Sequence, residues 1–184
     1  MEVLPPVPTR GWHAQAFFGI HYDLHASASD TDLGSELTHE HLRERLLRVR
    51  PDWVQCDCKG HNGYTSWPTT VGSPAPGIVR DALRIHRDVT RELGIRLGMH
   101  YSGVWDSRAI ELHPEWASVD ADSNHSPHYT CRLSGYDQEL MIPQMLELVD
   151  RYSNPTRFVK IGEGFFSGAA PPSPAVRLAL LQLT

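Results

Sequence analysis

WVQCDC (Trp53–Cys58), IVRDALRIHRDVTRELG (Ile78–Gly94) and IRLGMHY (Ile95–Tyr101) decide the fold. In the middle stretch Ile78, Ala82, Ile85, Val89 and Leu93 recur on one helical face, and Gly94 stands where a helix C-terminus favours glycine. The flanking stretches are short apolar runs, the pattern of strands covered on both faces. Strand, helix and strand in this order mean parallel pairing through a right-handed crossover.

The same alternation continues outward in both directions. Upstream, Ala16–His21 reads as a first strand. Thr38 is a plausible N-cap for a helix whose stripe is Leu42, Leu46 and Val49 and which ends at Arg50-Pro51. Downstream, Leu140–Tyr152 predicts a third helix with Ile142, Met145, Leu146 and Val149 buried, Pro143 kinking it or setting its first turn. Phe158–Ile161 predicts a fourth strand and Pro174–Leu183 a fourth helix. Between these elements lie two long polar loops, 59–77 and 103–135, and loops of that length are generally functional or disordered.

Composition narrows the function classes. The chain has 184 residues, 40% hydrophobic and 21% charged, which is globular and falls short of the roughly 250 residues of a closed eight-unit barrel. Seventeen basic against 22 acidic residues, a formal charge of -5 and no basic stripe argue against nucleic acid as a partner. No apolar run is long enough to span a membrane, and Met1–Arg10 lacks the basic start and apolar core of a secretory signal, so the expected location is the cytoplasm. Cys56 and Cys58, two of three cysteines, read as reduced buried thiols.

In a βα array ligands bind at the carboxyl ends of the strands. Those ends carry His21, Tyr22, Asp23 and His25, then Asp57, Lys59 and His61, then His100, Tyr101 and Ser102, and finally Glu163. Trp12, Tyr64, Trp67, Trp105 and Trp116 lie in or beside the same loops. Hydroxyl-rich ligands need such convergent hydrogen-bonding groups together with flat aromatic faces, although aromatics at strand ends also serve simply as packing. Asp57 has two readings, an orienting partner for Lys59 or a histidine, or a catalytic carboxylate. A metal shared by His21, His61 and His100 is the less favoured alternative, because no His-x-His ends a strand; His39 and His41 face different ways on a helix. No metal or other cofactor is therefore expected.

KGHNGYTSWPT (Lys59–Thr69) resembles the second-strand loop of α-L-fucosidase-type retaining glycoside hydrolases, which read Lys-His-His-Asp-Gly-Phe and then Trp-Pro-Ser. FGIHY (Phe18–Tyr22) and LGMHYS (Leu97–Ser102) resemble that family's first and third strands. DCKGH (Asp57–His61), GSPAPG (Gly72–Gly77) and HYSGVWD (His100–Asp106) are shared with a fucosidase-like subgroup, and the resemblance covers about Ala16 to Tyr152.

The resemblance implies a partial (β/α)8 TIM barrel of about four βα units with a carbohydrate site at its strand ends. Residues 1–15 would be an extension, 16–152 the N-terminal half of the barrel, and 153–184 a divergent or truncated ending. It assigns substrate contacts to His21 and His61 and a pocket wall to Trp67. Lys59, Tyr64, His100, Tyr101, Trp105 and Asp106 complete the substrate-binding set. Two departures stand out: Gly60-His61 replaces the family's histidine pair, and Ile161 falls where its nucleophilic aspartate stands. Glu163 and Asp57 are then the candidate catalytic carboxylates. The implied activity is glycosidic-bond hydrolysis, with the short chain itself weak or inactive; the rivals are a non-catalytic carbohydrate-binding remnant and a metal-dependent barrel hydrolase. Unpaired strand edges predict self-association.

Overall fold

The computed structural model describes residues 16–152 and the strand at 159–161. Trp12, the expected fourth helix and Glu163 lie outside the described residues.

The elements follow in the order β1 (Gly19–Tyr22), α1 (His39–Val49), β2 (Trp53–Lys59), α2 (Ala82–Glu92), β3 (Arg96–Tyr101), α3 (Ser107–Leu112), β4 (Ala117–Val119), β5 (His125–Thr130), α4 (Ile142–Tyr152) and β6 (Val159–Ile161). β1, β2, β3 and β6 form one parallel sheet in that order, as the alternation of apolar runs and helical stripes predicts. The 103–135 stretch, expected as a loop, holds α3 and the antiparallel pair β4–β5. The exposed residues of β5, His125, Pro127, His128 and Tyr129, give it no apolar alternation from which a strand could be read.

Local chemistry sets the boundaries. Thr38 caps α1, its hydroxyl accepting from the His41 amide at 3.1 Å, and Arg50 closes that helix in the left-handed region, φ 54°. Asp81 caps α2 by accepting from the Arg84 amide at 2.9 Å, so Ile78 precedes the helix instead of opening its stripe. Val49 is exposed, outside the stripe of Leu42 and Leu46. In α4 the buried face is Gln144, Met145, Leu148 and Tyr152, while Leu146 is exposed. The stripe is rotated from the expected one because Gln144 turns inward to accept from the Tyr101 hydroxyl at 2.7 Å.

One face of the sheet presents Ile20, Tyr22, Val54, Cys56, Leu97 and Met99, which pack with Leu42, Leu46, Leu83 and Val89 of the helices. Val54, Cys56, Leu97 and Met99 are thus covered by the helices. Phe17, within the stretch read as the first strand, precedes β1 and is almost fully exposed. Burial pushes the Cys56 and Cys58 thiols up, as inert core thiols require. The opposite face carries His21, Gln55, Asp57, Gly98 and His100.

Candidate active site

A register shift near the end of β2 sorts the polar groups into two clusters. Asp57 pairs with His100, but Lys59 pairs with Tyr101, so Cys58 is the extra residue of a β-bulge. Because side chains alternate, one inserted residue turns Lys59 to the helix-facing side and leaves Asp57 on the other. Of the two partners considered for Asp57, Lys59 is thus turned away and the histidines remain.

On the helix side Lys59 is sealed from solvent. Its ammonium donates to the Asp106 carboxylate, to the Tyr101 hydroxyl at 3.1 Å and to the Tyr136 hydroxyl at 3.2 Å, which uses all three donors. Asp106 also caps α3, its Oδ1 accepting from the Ala109 amide at 2.8 Å. Burial drives the lysine pKa down, but the charges of Tyr101 and Asp106 and their hydrogen bonds outweigh it and hold the group above its ordinary value. Burial pushes Tyr101 up to about 12. Lys59, Tyr101 and Asp106, expected to touch substrate, instead lock the strand ends together. Trp67, expected as a pocket wall, has no exposed surface and belongs to the core. Tyr136 is the member of this network that the sequence reading missed; its place in the polar stretch Ser134–Gln138 carries no periodic signal.

On the other side Asp57 is the hub of a histidine cluster. His21 Nε2 lies 2.6 Å from Asp57 Oδ2, His25 Nε2 3.7 Å from the same oxygen, and His100 Nδ1 3.0 Å from Oδ1. The carboxylate is 1% exposed, against 51% for His21, 41% for His25 and 19% for His100, so the imidazoles form the accessible surface over it. The 59–77 loop then places His61 flat on Trp105, ring centroids 4.1 Å apart and planes 2° from parallel, and His61 sits 6.4 Å from the His25 ring. Tyr129, from β5, leans on the far edge of Trp105 at 4.9 Å. His21, His61, His100 and Trp105 from the expected set are together here. Half-buried Tyr64 stands beside Arg108, 5.7 Å from its guanidinium. Trp116, by contrast, is buried and stacks on His113.

The arrangement offers imidazole donors and acceptors in fixed directions beside a flat aromatic surface at the ends of three parallel strands. The fold is similar to part of several α-L-fucosidases. The chain superposes on α-L-fucosidase isoenzyme 2 from Paenibacillus thiaminolyticus with a TM-score of 0.70 at 17% identity, over 91% of this chain and 26% of that one. For α-L-fucosidase AlfC from Lactobacillus casei in complex with α-L-fucose product the TM-score is 0.62 at 12% identity, over 94% and 68%. For the α-L-fucosidase of Vibrio sp. strain EJY3 it is 0.57 at 17% identity, over 96% and 28%. This chain therefore spans about a quarter of the length of the first and third of these proteins. No protein-family model matches it, and no curated protein does. Identities this low carry the fold-level resemblance and leave the chemistry to the residues. Among the described residues no helix is long and apolar enough to cross a membrane.

Proposed function

We propose that residues 16–152 and the following strand form three strand–helix units and the fourth strand of a (β/α)8 glycoside hydrolase barrel of α-L-fucosidase-like type, with a carbohydrate bound at the strand ends. One observation carries the reading: His21, His25 and His100 converge on Asp57 beside the stacked Trp105–His61 pair. A sugar ring presents an apolar face suited to the indole and hydroxyls suited to imidazole nitrogens. The sequential all-parallel strand order supports the barrel, since right-handed crossovers then lay every helix on the same side.

Hydrolysis is on this reading a reaction of the whole barrel. Retaining cleavage takes two carboxyl groups about 5 Å apart. Asp106 is held by Lys59, and Asp57 is enclosed by imidazoles that it positions. Ile161 occupies the position that the resemblance gives to the nucleophile, which leaves Glu163, outside the described residues, as the further candidate. The chain alone then binds sugar without turning it over. It works in the cytoplasm, with neither nucleic acid nor membrane as partner, and self-associates through the open edges of its sheet.

Titration of the 184-residue chain with methyl α-L-fucopyranoside and a panel of other monosaccharides, followed by tryptophan fluorescence, tests the binding. Saturation by at least one sugar is expected, with no release of 4-nitrophenol from 4-nitrophenyl α-L-fucopyranoside. Failure of every sugar to bind overturns the carbohydrate reading. Turnover that disappears in Asp57→Asn overturns the positioning role given to that carboxylate.

A further inference from the structure

Asp57 is a buried carboxylate that pairs with no lysine or arginine among the described residues. The ion-pair partners of its side chain among the described residues are His21, His25 and His100, all imidazoles. The nearest lysine in sequence, Lys59, is turned to the opposite face by the bulge and spent on Asp106. A carboxylate withdrawn from water needs a cation or a full set of hydrogen bonds. One oxygen, Oδ2, is bonded to His21 at 2.6 Å; the other, Oδ1, has no hydrogen-bond partner although it lies within 3.0 Å of His100 Nδ1.

We propose that His25, Asp57 and His100 are the protein ligands of a divalent first-row metal ion of the zinc class. Their ligand atoms, Nε2 or Nδ1 of the histidines and a carboxylate oxygen, all lie within 4.8 Å of one another. Ligand bonds of about 2.1 Å in a tetrahedral shell place donor atoms about 3.4 Å apart, against 3.0 Å from His100 Nδ1 to Asp57 Oδ1, while His25 Nε2 stands 3.7 Å from the neighbouring Oδ2. The exposed His25 ring is the member free to adjust and close the set.

Outer-sphere support is also in place. Asp23 Oδ1 lies 2.9 Å from His25 Nδ1, the carboxylate–histidine arrangement that fixes a ring with its other nitrogen, Nε2, free to ligate. The backbone contributes, because the His25 amide donates to the same oxygen at 3.0 Å and holds the Asp23 side chain in position. His21 keeps its place on the remaining Asp57 oxygen, so the ion takes the carboxylate through Oδ1. Two imidazoles and one carboxylate favour zinc or a neighbouring transition metal over magnesium or calcium, which prefer all-oxygen shells. The exposure of His25 leaves room for solvent or ligand oxygens to complete the coordination. The proposal goes beyond the carbohydrate reading and does not depend on it.

The test is isothermal titration of the chelator-treated full chain with ZnCl2, together with visible absorption on adding CoCl2. One saturable site per chain is expected, with Co2+ bands. His25→Ala and His100→Ala should each weaken Zn2+ binding at least tenfold, and Asp23→Asn by about tenfold. His39→Ala, on an exposed helix surface, should leave it unchanged. Circular dichroism confirms that each variant is folded, and His25→Ala and Asp23→Asn alter exposed side chains, so the outcome survives if His100→Ala fails to fold. Absence of a 1:1 site, or equal uptake by His25→Ala and the parent, overturns the metal site. Fucoside binding in the presence of EDTA, without zinc uptake, sinks the metal site and leaves the carbohydrate reading standing; zinc uptake without binding of any sugar does the reverse.

Discussion

The Lys59 ammonium and the Asp106 carboxylate are joined inside the core, the lysine side chain fully buried and the aspartate 1% exposed. Removing one partner strands the other charge away from water. Lys59→Met and Asp106→Asn should each cost about 3–5 kcal/mol in urea unfolding, and the double substitution Lys59→Met/Asp106→Leu less than the sum of the two. Single variants as stable as the parent would mean that water reaches the pair.

The same network predicts alkaline lability. Lys59 is held above its ordinary 10.5 and Tyr101 is pushed from 10.0 up to about 12, so the folded chain retains protons that the unfolded chain gives up. Stability from these groups is complete below about pH 10 and falls as pH rises through the folded values. The fall in melting temperature by circular dichroism above about pH 10 should be steeper in the parent than in Tyr101→Phe.

Gly63 should accept no side chain. Its φ of +90° lies in the left-handed region, and an added Cβ would sit 2.1 Å from Asp106 Oδ1. Gly63→Ala pays for both strain and clash, at least about 2 kcal/mol, and should displace the carboxylate that holds Lys59. A melting temperature within a degree of the parent would contradict this.

Trp105 and Trp67 should behave oppositely. Trp105 is half-buried at the open face of the site, whereas Trp67 is wholly enclosed. Trp105→Ala should abolish sugar binding by the fluorescence or calorimetric assay with a folded circular dichroism spectrum. Trp67→Ala should cost about 3–5 kcal/mol of stability.

Acid should loosen the 59–77 loop from α4. Glu147 accepts from the Thr70 amide and hydroxyl, each at 2.8 Å, and from the Thr69 hydroxyl. Burial raises its pKa, but the hydrogen bonds from Thr69 and Thr70 and the charge of Arg151 outweigh that and hold it below the usual glutamate value of 4.5. Its stabilisation is therefore present above pH 4.5 and lost as pH falls through the folded value. The protection factor of the Thr70 amide, its exchange relative to the intrinsic rate at each pH, should fall in acid, and Glu147→Gln should show low protection already at neutral pH; equal protection in variant and parent would remove the clamp.

What the sequence by itself determined is the alternation of strands and helices. Apolar runs such as Trp53–Cys58 and the stripe Ala82, Ile85, Val89 are local periodicities, and Thr38 marks a helix start through its own hydroxyl. The parallel order of the sheet followed from those elements, and the presence of His21, Asp57, His100 and Trp105 at strand ends was legible in the same way. Only the tertiary structure decided which of them meet. A one-residue bulge at Cys58 sends Lys59 to the core side and Asp57 to the site, a shift that no composition or period announces, because both registers bury the same apolar residues. The third histidine over Asp57 is likewise His25, from a loop, since His61 is drawn onto Trp105. The inward turn of Gln144 depends on Tyr101, 43 residues away, and the enclosure of Trp67 on the assembled core, and long-range contacts of that kind leave no mark on the sequence around them.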